Sequence, residues 1–236
     1  MMNCYMTNLP AIASGVKRYY KRIGKEANIV AFGGDGITSD AGFQTLSGAA
    51  ERGENIIYIC LDNEAYMNTG IQRSSTTPFG SWTTTTPVGK RSRGKERAPK
   101  YMPLLMAFHG LSYVATATPY FLEDYVEKLI KARNTKDGMA YIHVLAPCPT
   151  GWCSPPDTML ELSRMAVETN YFPLWEAEYG HFRMTYLPRK ARPLKEFTGL
   201  MGRFSHLTEE ELGLLQGMVD RRLDQIMLQC EGRKQK

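Results

Sequence analysis

A short apolar run in the first part of the chain ends abruptly in glycine, and this limits the possible folds. Residues 28–32, NIVAF, are typical of a buried β-strand, and the turn Gly33–Gly36 follows directly. A helical pattern comes next, with Thr38 and Ser39 as candidate N-caps, and leads to a second apolar run, IIYICL, at 56–61. Two apolar runs joined by a helix predict a parallel βαβ unit whose first strand ends at the glycine-rich turn.

Helical and strand-like segments alternate along most of the chain. Helices are predicted near 9–24, 101–109, 120–132, 157–169 and 209–228, and further strands near 112–116 and 140–145. The long polar segment 62–100 and the Pro-rich segment 172–207 are poorly periodic. The alternation predicts an α/β fold with a mainly parallel sheet and helices on both faces. We interpret residues 1–236 as one domain with a C-terminal extension from about residue 172.

Composition excludes several classes of protein. No run of 18 apolar residues occurs and the first residues lack a signal-peptide pattern, so we expect a cytoplasmic protein with no membrane partner. With 29 basic and 24 acidic residues, the net charge is mild, and the basic run 90–100 is too local for a nucleic-acid footprint. Five scattered cysteines without a CxxC pair cannot by themselves form a four-cysteine metal site: Cys4, Cys60, Cys148, Cys153 and Cys230.

Unusual residues collect where predicted strands end, at Gly33–Gly36, 62–75 and 147–152. Parallel sheets bind ligands beyond the carboxyl ends of their strands. Glycine lets the backbone approach an anion closely, and the N-terminus of the following helix attracts phosphate. A carboxylate such as Asp35 repels a neighbouring phosphate unless a divalent cation bridges the two groups. Asn63 follows the next strand, so its side chain can reach the same cation. The pattern predicts a Mg²⁺–phosphate site. A plain turn at GDG and an Asn63 that caps its own backbone remain the alternatives.

Longer segments carry a more specific signal. GGDGITSDAGFQ, EAYMNTGIQRSS, HGLSYVATATPY, YIHVLAPCPTGW and GRFSHLTEEEL follow one another over nearly the whole chain. In these segments the chain resembles the thiamin-diphosphate-binding β chain of the 2-oxoacid:ferredoxin oxidoreductases, most closely that of the pyruvate enzyme. The GDG-to-Asn spacing is the general thiamin diphosphate signature, whereas EAYMNTGIQRSS and PCPTGW are specific to this family.

The resemblance implies a thiamin-diphosphate-binding fold with a cofactor site at the first two segments. Asp35 and Asn63 match the side-chain ligands of Mg²⁺, and the backbone carbonyl of Ala65 matches the third ligand. Gly34 and Gly36 match the turn that cradles the diphosphate. The implied cofactors of this chain are therefore thiamin diphosphate and Mg²⁺.

The resemblance also implies which residues face the substrate. Asn68 matches a catalytic asparagine near the reactive ring of the cofactor, and Thr69 and Gly70 continue the cofactor-facing loop. The glutamate that activates the cofactor belongs to a partner α chain in this family. No residue of this chain is assigned that role.

The implied activity is the reversible oxidative decarboxylation of pyruvate to acetyl-CoA and CO₂, with electrons passed to ferredoxin, a reaction of anaerobic metabolism. The implied partners are α, γ and δ subunits in a hetero-oligomer, together with ferredoxin and coenzyme A. The alternative substrates are a branched-chain 2-oxoacid or oxalate, because the partner chain shapes the pocket.

One departure from the family concerns an iron–sulfur cluster. Family members hold a [4Fe-4S] cluster with three N-terminal cysteines and a fourth in the PCPTGW-like segment. Cys148 matches the fourth, whereas Cys4 matches none of the other three. We expect a shortened form of an ordinary β chain. In the alternative, another chain supplies the missing ligands, or the cluster is absent and the chain is a remnant that binds cofactor but passes no electrons.

Two histidines and a run of basic residues are not expected to take part in catalysis. His109 and His143 lie on helix- and strand-like segments, so we expect structural roles for both. The basic run 90–100 is expected to be a solvated loop at a subunit edge, with contact to coenzyme A or ferredoxin as the alternative.

Overall fold

Six strands form one sheet in the computed structural model, which describes residues 5–231. The strands are β1 (Val30–Gly34), β2 (Ile57–Asp62), β3 (Tyr113–Ala117), β4 (Ala140–Leu145), β5 (Leu174–Glu178) and β6 (His181–Tyr186). Their order across the sheet is β1-β2-β4-β3-β5-β6. The first four strands in this order pair in parallel, and β5 and β6 are antiparallel to their neighbours. The predicted mainly parallel α/β fold is confirmed.

The helices connect and flank these strands. The α-helices of residues 5–231 are α1 (Leu9–Arg22), α2 (Phe43–Glu51), α3 (Met102–Phe108), α4 (Leu122–Asn134), α5 (Pro149–Trp152), α6 (Met159–Glu168), α7 (Leu194–Thr198) and α8 (Glu209–Glu231). A π-helix covers Ile37–Ala41, and short 3₁₀-helices cover Met6–Asn8, Pro156–Thr158 and Gly202–Phe204. No helix in this part of the chain combines the length and apolar character needed to cross a membrane.

Both faces of the sheet carry helices, and β2 shows how. Tyr58 and Cys60 point into a core shared with α1, α2, α3 and α8. Ile57 and Ile59 point the opposite way, into a second core that includes residues of α4. A strand buried on both faces needs an unbroken apolar sequence, which explains the run IIYICL.

The α4 face of the sheet is covered only in part. Val30 and Phe32 of β1 pair with Ile57 and Ile59 and share their face. Val30, Phe32 and Leu61 are 44, 55 and 40 % exposed. The β1 edge of this chain therefore presents an apolar strip to solvent.

The segment 172–207 contains two strands that the sequence pattern does not predict. β5 pairs with β3, and β6 pairs with β5 through a two-residue turn. That turn is Tyr179–Gly180, with φ of 47° and 75°, as a tight hairpin requires. The poor periodicity of this segment does not indicate these strands, because β5 pairs with β3, which lies far earlier in the chain, and β6 then pairs with β5.

Candidate functional site

The three predicted cation ligands come together at the carboxyl ends of β1 and β2. These strand ends lie side by side, with Gly34 paired to Leu61. Asp35 follows β1 and is 1 % exposed. One terminal atom of the Asn63 amide lies 3.1 Å from Asp35 Oδ1 and 2.8 Å from the carbonyl oxygen of Ala65. Two side chains and one carbonyl group thus face a common point.

The donor set at this point fits a hard cation. An amide group can be placed in two orientations that differ by exchange of its nitrogen and oxygen. With the nitrogen toward Asp35, Asn63 donates hydrogen bonds to the Asp35 carboxylate and the Ala65 carbonyl. With the oxygen toward Asp35, three oxygen atoms converge, which suits Mg²⁺ completed by phosphate oxygens and water. A bound cation would replace the two hydrogen bonds.

The Asp35 carboxylate lies among hydroxyl groups and a second acid. Its Oδ2 accepts hydrogen bonds from Ser74 Oγ at 2.5 Å and from Thr76 Oγ1, which lies 3.0 Å away and also 3.0 Å from Asp62 Oδ1. Burial, and then repulsion from Asp62, raises the pKa of the Asp35 carboxyl well above its ordinary value. A divalent cation at this carboxylate would favour its ionised form.

Asp62 anchors a second buried chain of hydrogen bonds. Its Oδ2 lies 2.7 Å from His143 Nε2, and His143 Nδ1 lies 2.7 Å from the Tyr141 hydroxyl. Its Oδ1 accepts the Glu64 backbone N–H at 2.7 Å, so Asp62 also aligns the loop that carries Asn63. His143 therefore supports the end of β2, in line with the structural role expected for it. The sequence pattern did not single out Asp62, although it directly precedes Asn63.

The turn after β1 continues into the π-helix rather than into a capped α-helix. Thr38 Oγ1 donates to the Gly34 carbonyl and Ser39 Oγ to the Asp35 carbonyl, each at 2.7 Å. The prediction that these residues are N-caps is wrong, because both hydroxyls bond to the carbonyl four residues earlier. π-helical turns occur frequently at functional sites.

The two glycines assigned to the diphosphate differ in their surroundings. A Cβ atom at Gly36 would lie 2.4 Å from the ring of Tyr66, whose hydroxyl donates to the Gly36 carbonyl at 2.8 Å. A Cβ atom at Gly34 would meet nothing within 4 Å. The protein's own packing therefore requires glycine at position 36, whereas Gly34 leaves open space beside the turn.

The predicted substrate-facing residues lie on an exposed turn. Asn68, Thr69 and Gly70 are all exposed, and Gly70 has a φ of 118°. Thr69 Oγ1 lies 2.5 Å from Gln72 Oε1, within the same turn. No hydrogen bond among the described residues joins Asn68, Thr69 or Gly70 to Asp35 or Asn63. The structure thus brings the cation ligands together but leaves these three residues at the surface.

The cysteines do not assemble a metal site within residues 5–231. Cys148 is half-buried beside the core that contains Trp152, and Cys153 is exposed with a φ of 53°. Cys4 lies outside the described residues. In residues 5–231, no group of three or more His, Cys, Asp or Glu side chains could hold a metal. Cys148 therefore has no set of cluster ligands around it there.

One lysine of the basic run is buried behind the cation site. Lys95 is 4 % exposed, and its Nζ donates to the carbonyls of Ser75, at 3.0 Å, and of Thr77. Desolvation lowers the pKa of Lys95 to about 8. The expectation that 90–100 is a solvated loop is wrong at Lys95. The segment that carries Ser74 and Thr76 has carbonyl groups that point inward, and the Lys95 ammonium group supplies their hydrogen-bond donor.

Known proteins are similar to this chain in sequence and in fold. Residues 2–144 match the model of the thiamine pyrophosphate enzyme, C-terminal TPP binding domain. Pyruvate synthase subunit PorB of Methanothermobacter thermautotrophicus is 55% identical over 214 residues, covering 90% of this chain and 74% of that protein. Ketoisovalerate oxidoreductase subunit VorB of Pyrococcus horikoshii is 44% identical over 217 residues, covering 89% of this chain and 70% of that protein.

A solved structure also resembles the chain. In the 2-oxoglutarate:ferredoxin oxidoreductase from Magnetococcus marinus, one chain superposes with a TM-score of 0.52 at 27% identity, over 66% of this chain and 57% of that one. The sequence match and the superposition point to the same group of proteins. The chain therefore belongs to the thiamine pyrophosphate enzymes and, among them, to the 2-oxoacid oxidoreductase β subunits that PorB represents.

Proposed function

We propose that this chain is the thiamin diphosphate- and Mg²⁺-binding β subunit of a 2-oxoacid:ferredoxin oxidoreductase that acts on pyruvate. The reaction is the reversible oxidative decarboxylation of pyruvate to acetyl-CoA and CO₂, with electrons passed to ferredoxin. The observation that carries the proposal is the convergence of the Asp35 carboxylate, the Asn63 amide and the Ala65 carbonyl. The 55% identity with a PorB subunit supports pyruvate as the substrate.

The residues of this chain would hold and orient the cofactor. When bound, thiamin diphosphate supplies an electron sink for decarboxylation of a 2-oxoacid. Asp35, Asn63 and Ala65 would hold the Mg²⁺ that neutralises the diphosphate, and Gly34 gives the backbone room to approach it. Buried hydroxyls fix the Asp35 carboxylate in place before any ligand arrives.

The substrate side of the site would be completed by partner subunits. Asn68 would lie near the reacting atoms, with Thr69 and Gly70 continuing the loop, and an α subunit would cover this exposed turn and supply the activating glutamate. The exposed apolar side chains Val30 and Phe32 support assembly with other chains. We include γ and δ subunits, coenzyme A and ferredoxin in the same proposal.

The described residues do not fit an iron–sulfur cluster. Cys148 could supply one ligand, but no set of neighbouring cysteines surrounds it in residues 5–231. We therefore assign no electron-transfer step to these residues. An iron and sulfide assay on the complex separates the two possibilities. About four irons attributable to this chain would reject the electron-transfer-incompetent remnant, whereas their absence would support it.

The decisive test of the cation site is thiamin diphosphate binding to the complex purified with its partner subunits, with and without Mg²⁺. Asp35→Ala should abolish the Mg²⁺-dependent component, because it removes the only carboxylate among the three proposed ligands. Asp40→Ala is the matched control, since Asp40 binds the Ser75 backbone N–H at 2.9 Å and is not a proposed ligand. Unchanged affinity in Asp35→Ala would refute the site.

A branched-chain 2-oxoacid is the second candidate substrate, supported by the 44% identity with a VorB subunit. The two candidates separate by the rate of ferredoxin reduction with pyruvate and with 2-oxoisovalerate at equal concentrations. A higher kcat/KM for 2-oxoisovalerate would reassign the substrate and leave the cation site untouched.

A further inference from the structure

The three-residue cation loop, Asn63–Ala65, is held by hydrogen bonds at its middle residue, Glu64. The Glu64 N–H donates to Asp62 at 2.7 Å, and the Glu64 carbonyl accepts from Thr77 Oγ1 at 2.6 Å. The Asn63 amide and the Ala65 carbonyl, which are the proposed cation ligands, lie next to Asp35. These hydrogen bonds of Glu64 hold the loop in the conformation that directs its proposed ligands toward Asp35.

A buried ion pair fixes the middle of this loop. Glu64 has a φ of 64°, in the left-handed region that side chains avoid, so its surroundings must impose this conformation. Its carboxylate accepts from Arg203 Nη2 at 2.5 Å and from the Tyr171 hydroxyl at 2.6 Å. Arg203 is 2 % exposed and follows Glu64 by 139 residues. The restraint on the loop therefore comes from the far end of the chain.

Trp152 joins this ion pair to the first ligand. The guanidinium of Arg203 lies 3.9 Å from the centre of the Trp152 ring, in a cation–π contact. The indole Nε1–H of Trp152 donates to the backbone carbonyl of Asn63 at 2.9 Å. One assembly thus holds Asn63 through its carbonyl and Glu64 through its carboxylate.

We propose that Arg203 and Trp152 are positioning residues of the cation site, which act by clamping the Asn63–Ala65 loop with its ligands toward Asp35. The proposal rests on the proposed function, since the cation is Mg²⁺ with thiamin diphosphate. A buried ion pair is weak evidence of stabilisation by itself, and its best-attested use is to specify one arrangement among several. Here the arrangement specified is the conformation of two ligand-bearing residues.

Trp152→Phe tests the clamp with the smallest change. Phenylalanine keeps a ring beneath Arg203 but removes the donor to the Asn63 carbonyl. The complex with its partner subunits is titrated with Mg²⁺ at saturating thiamin diphosphate, by calorimetry. Loss of one hydrogen bond to the loop should raise the half-saturating Mg²⁺ concentration about fivefold.

Trp175→Phe is the matched control. Trp175 is also fully buried, and its indole donates one hydrogen bond, to the Tyr101 hydroxyl at 2.9 Å. This substitution should lower the melting temperature to a similar extent yet change the Mg²⁺ midpoint less than about twofold, because neither residue belongs to the clamp.

The ion pair is tested by three variants of the same complex. Arg203→Lys keeps the charge but loses the planar contact with Trp152, and should weaken Mg²⁺ binding less than Arg203→Met does. The double variant Glu64→Gln/Arg203→Met leaves no unpaired buried charge, so it should recover stability relative to Arg203→Met. Its Mg²⁺ midpoint should nevertheless stay raised severalfold, which a purely stabilising role would not produce.

Two results would overturn the positioning role. One is a Trp152→Phe complex with the wild-type Mg²⁺ midpoint, and the other is a double variant in which stability and Mg²⁺ affinity recover together. A wild-type complex that binds no thiamin diphosphate in the presence of Mg²⁺ would instead refute the proposed function. The two failures are therefore distinguishable.

Discussion

The loop after β2 has two halves that differ sharply in how the chain holds them. Residues 63–65 are buried or half-buried and receive hydrogen bonds from Trp152 and Arg203, which lie far along the sequence. Residues 68–70, a few positions later, are exposed, and within residues 5–231 their hydrogen bonds go to residues of the same long loop, as far as Thr84. Contacts with distant parts of the fold hold the first half, and contacts within the loop hold the second.

This difference indicates what each half can do without a partner. A site whose ligands are fixed by packing and buried hydrogen bonds is preorganised for its ligand. A turn with exposed hydrogen bonds and few contacts belongs to the low-stability part of a structure. We therefore expect the chain to carry its own cation site, whereas the substrate-facing turn depends on the partner surface.

Alanine substitution of one asparagine in each half should have the largest and most different effects. Asn63→Ala removes a proposed ligand and should weaken Mg²⁺-dependent thiamin diphosphate binding by about 100-fold. Asn68→Ala should leave that affinity within about threefold of wild type and lower pyruvate turnover instead. Calorimetry and ferredoxin reduction by the complex measure the two effects. Similar losses of affinity in both variants would remove the distinction.

Two glycine substitutions separate packing from cofactor binding at the neighbouring β1 turn. Gly36→Ala forces a Cβ to within 2.4 Å of the Tyr66 ring, and such overpacking should lower the free energy of unfolding by about 1–3 kcal/mol. Gly34→Ala meets nothing within 4 Å, so its stability should stay close to wild type while cofactor affinity falls. Urea unfolding measures the first effect, and a stable Gly34→Ala with unchanged affinity would argue against diphosphate at that turn.

The smallest effect concerns Lys95, behind the segment that binds Asp35. Desolvation lowers the pKa of Lys95 to about 8 in the folded chain, whereas the pKa of an unfolded lysine is about 10.4. Between these two pH values the unfolded chain binds more protons than the folded chain. The free energy of unfolding should therefore rise with pH over this range, by about 1–2 kcal/mol relative to Lys95→Met. Urea unfolding of both proteins at pH 7.5 and 9.5 measures it, and parallel pH profiles would contradict the prediction.

The cation ligands illustrate what the sequence pattern could predict. Asp35 and Asn63 each follow an apolar run, and two parallel strands joined by one helix place their carboxyl ends side by side. The juxtaposition of these two residues is thus a consequence of local patterns. The same holds for the predicted helices, whose boundaries differ from the observed ones by a few residues.

Features that depend on distant contacts were not predictable in this way. Strand β5 forms because β3 offers a free edge, which no pattern within 174–178 encodes. The burial of Lys95 depends on carbonyls 18 and 20 residues away, and basic residues in a polar segment normally indicate solvent exposure. The Asp62–His143 hydrogen bond spans 81 residues and likewise has no local signal.

The separation of 139 residues between Glu64 and Arg203 has a consequence for biosynthesis. While the chain emerges from the ribosome, β1 and β2 can pair long before Arg203 has been made. The Asn63–Ala65 loop therefore cannot gain its contacts with Tyr171 and Arg203 until this later part of the chain has been made. A nascent chain interrupted before residue 203 would lack the ion pair that holds Glu64 in the cation loop.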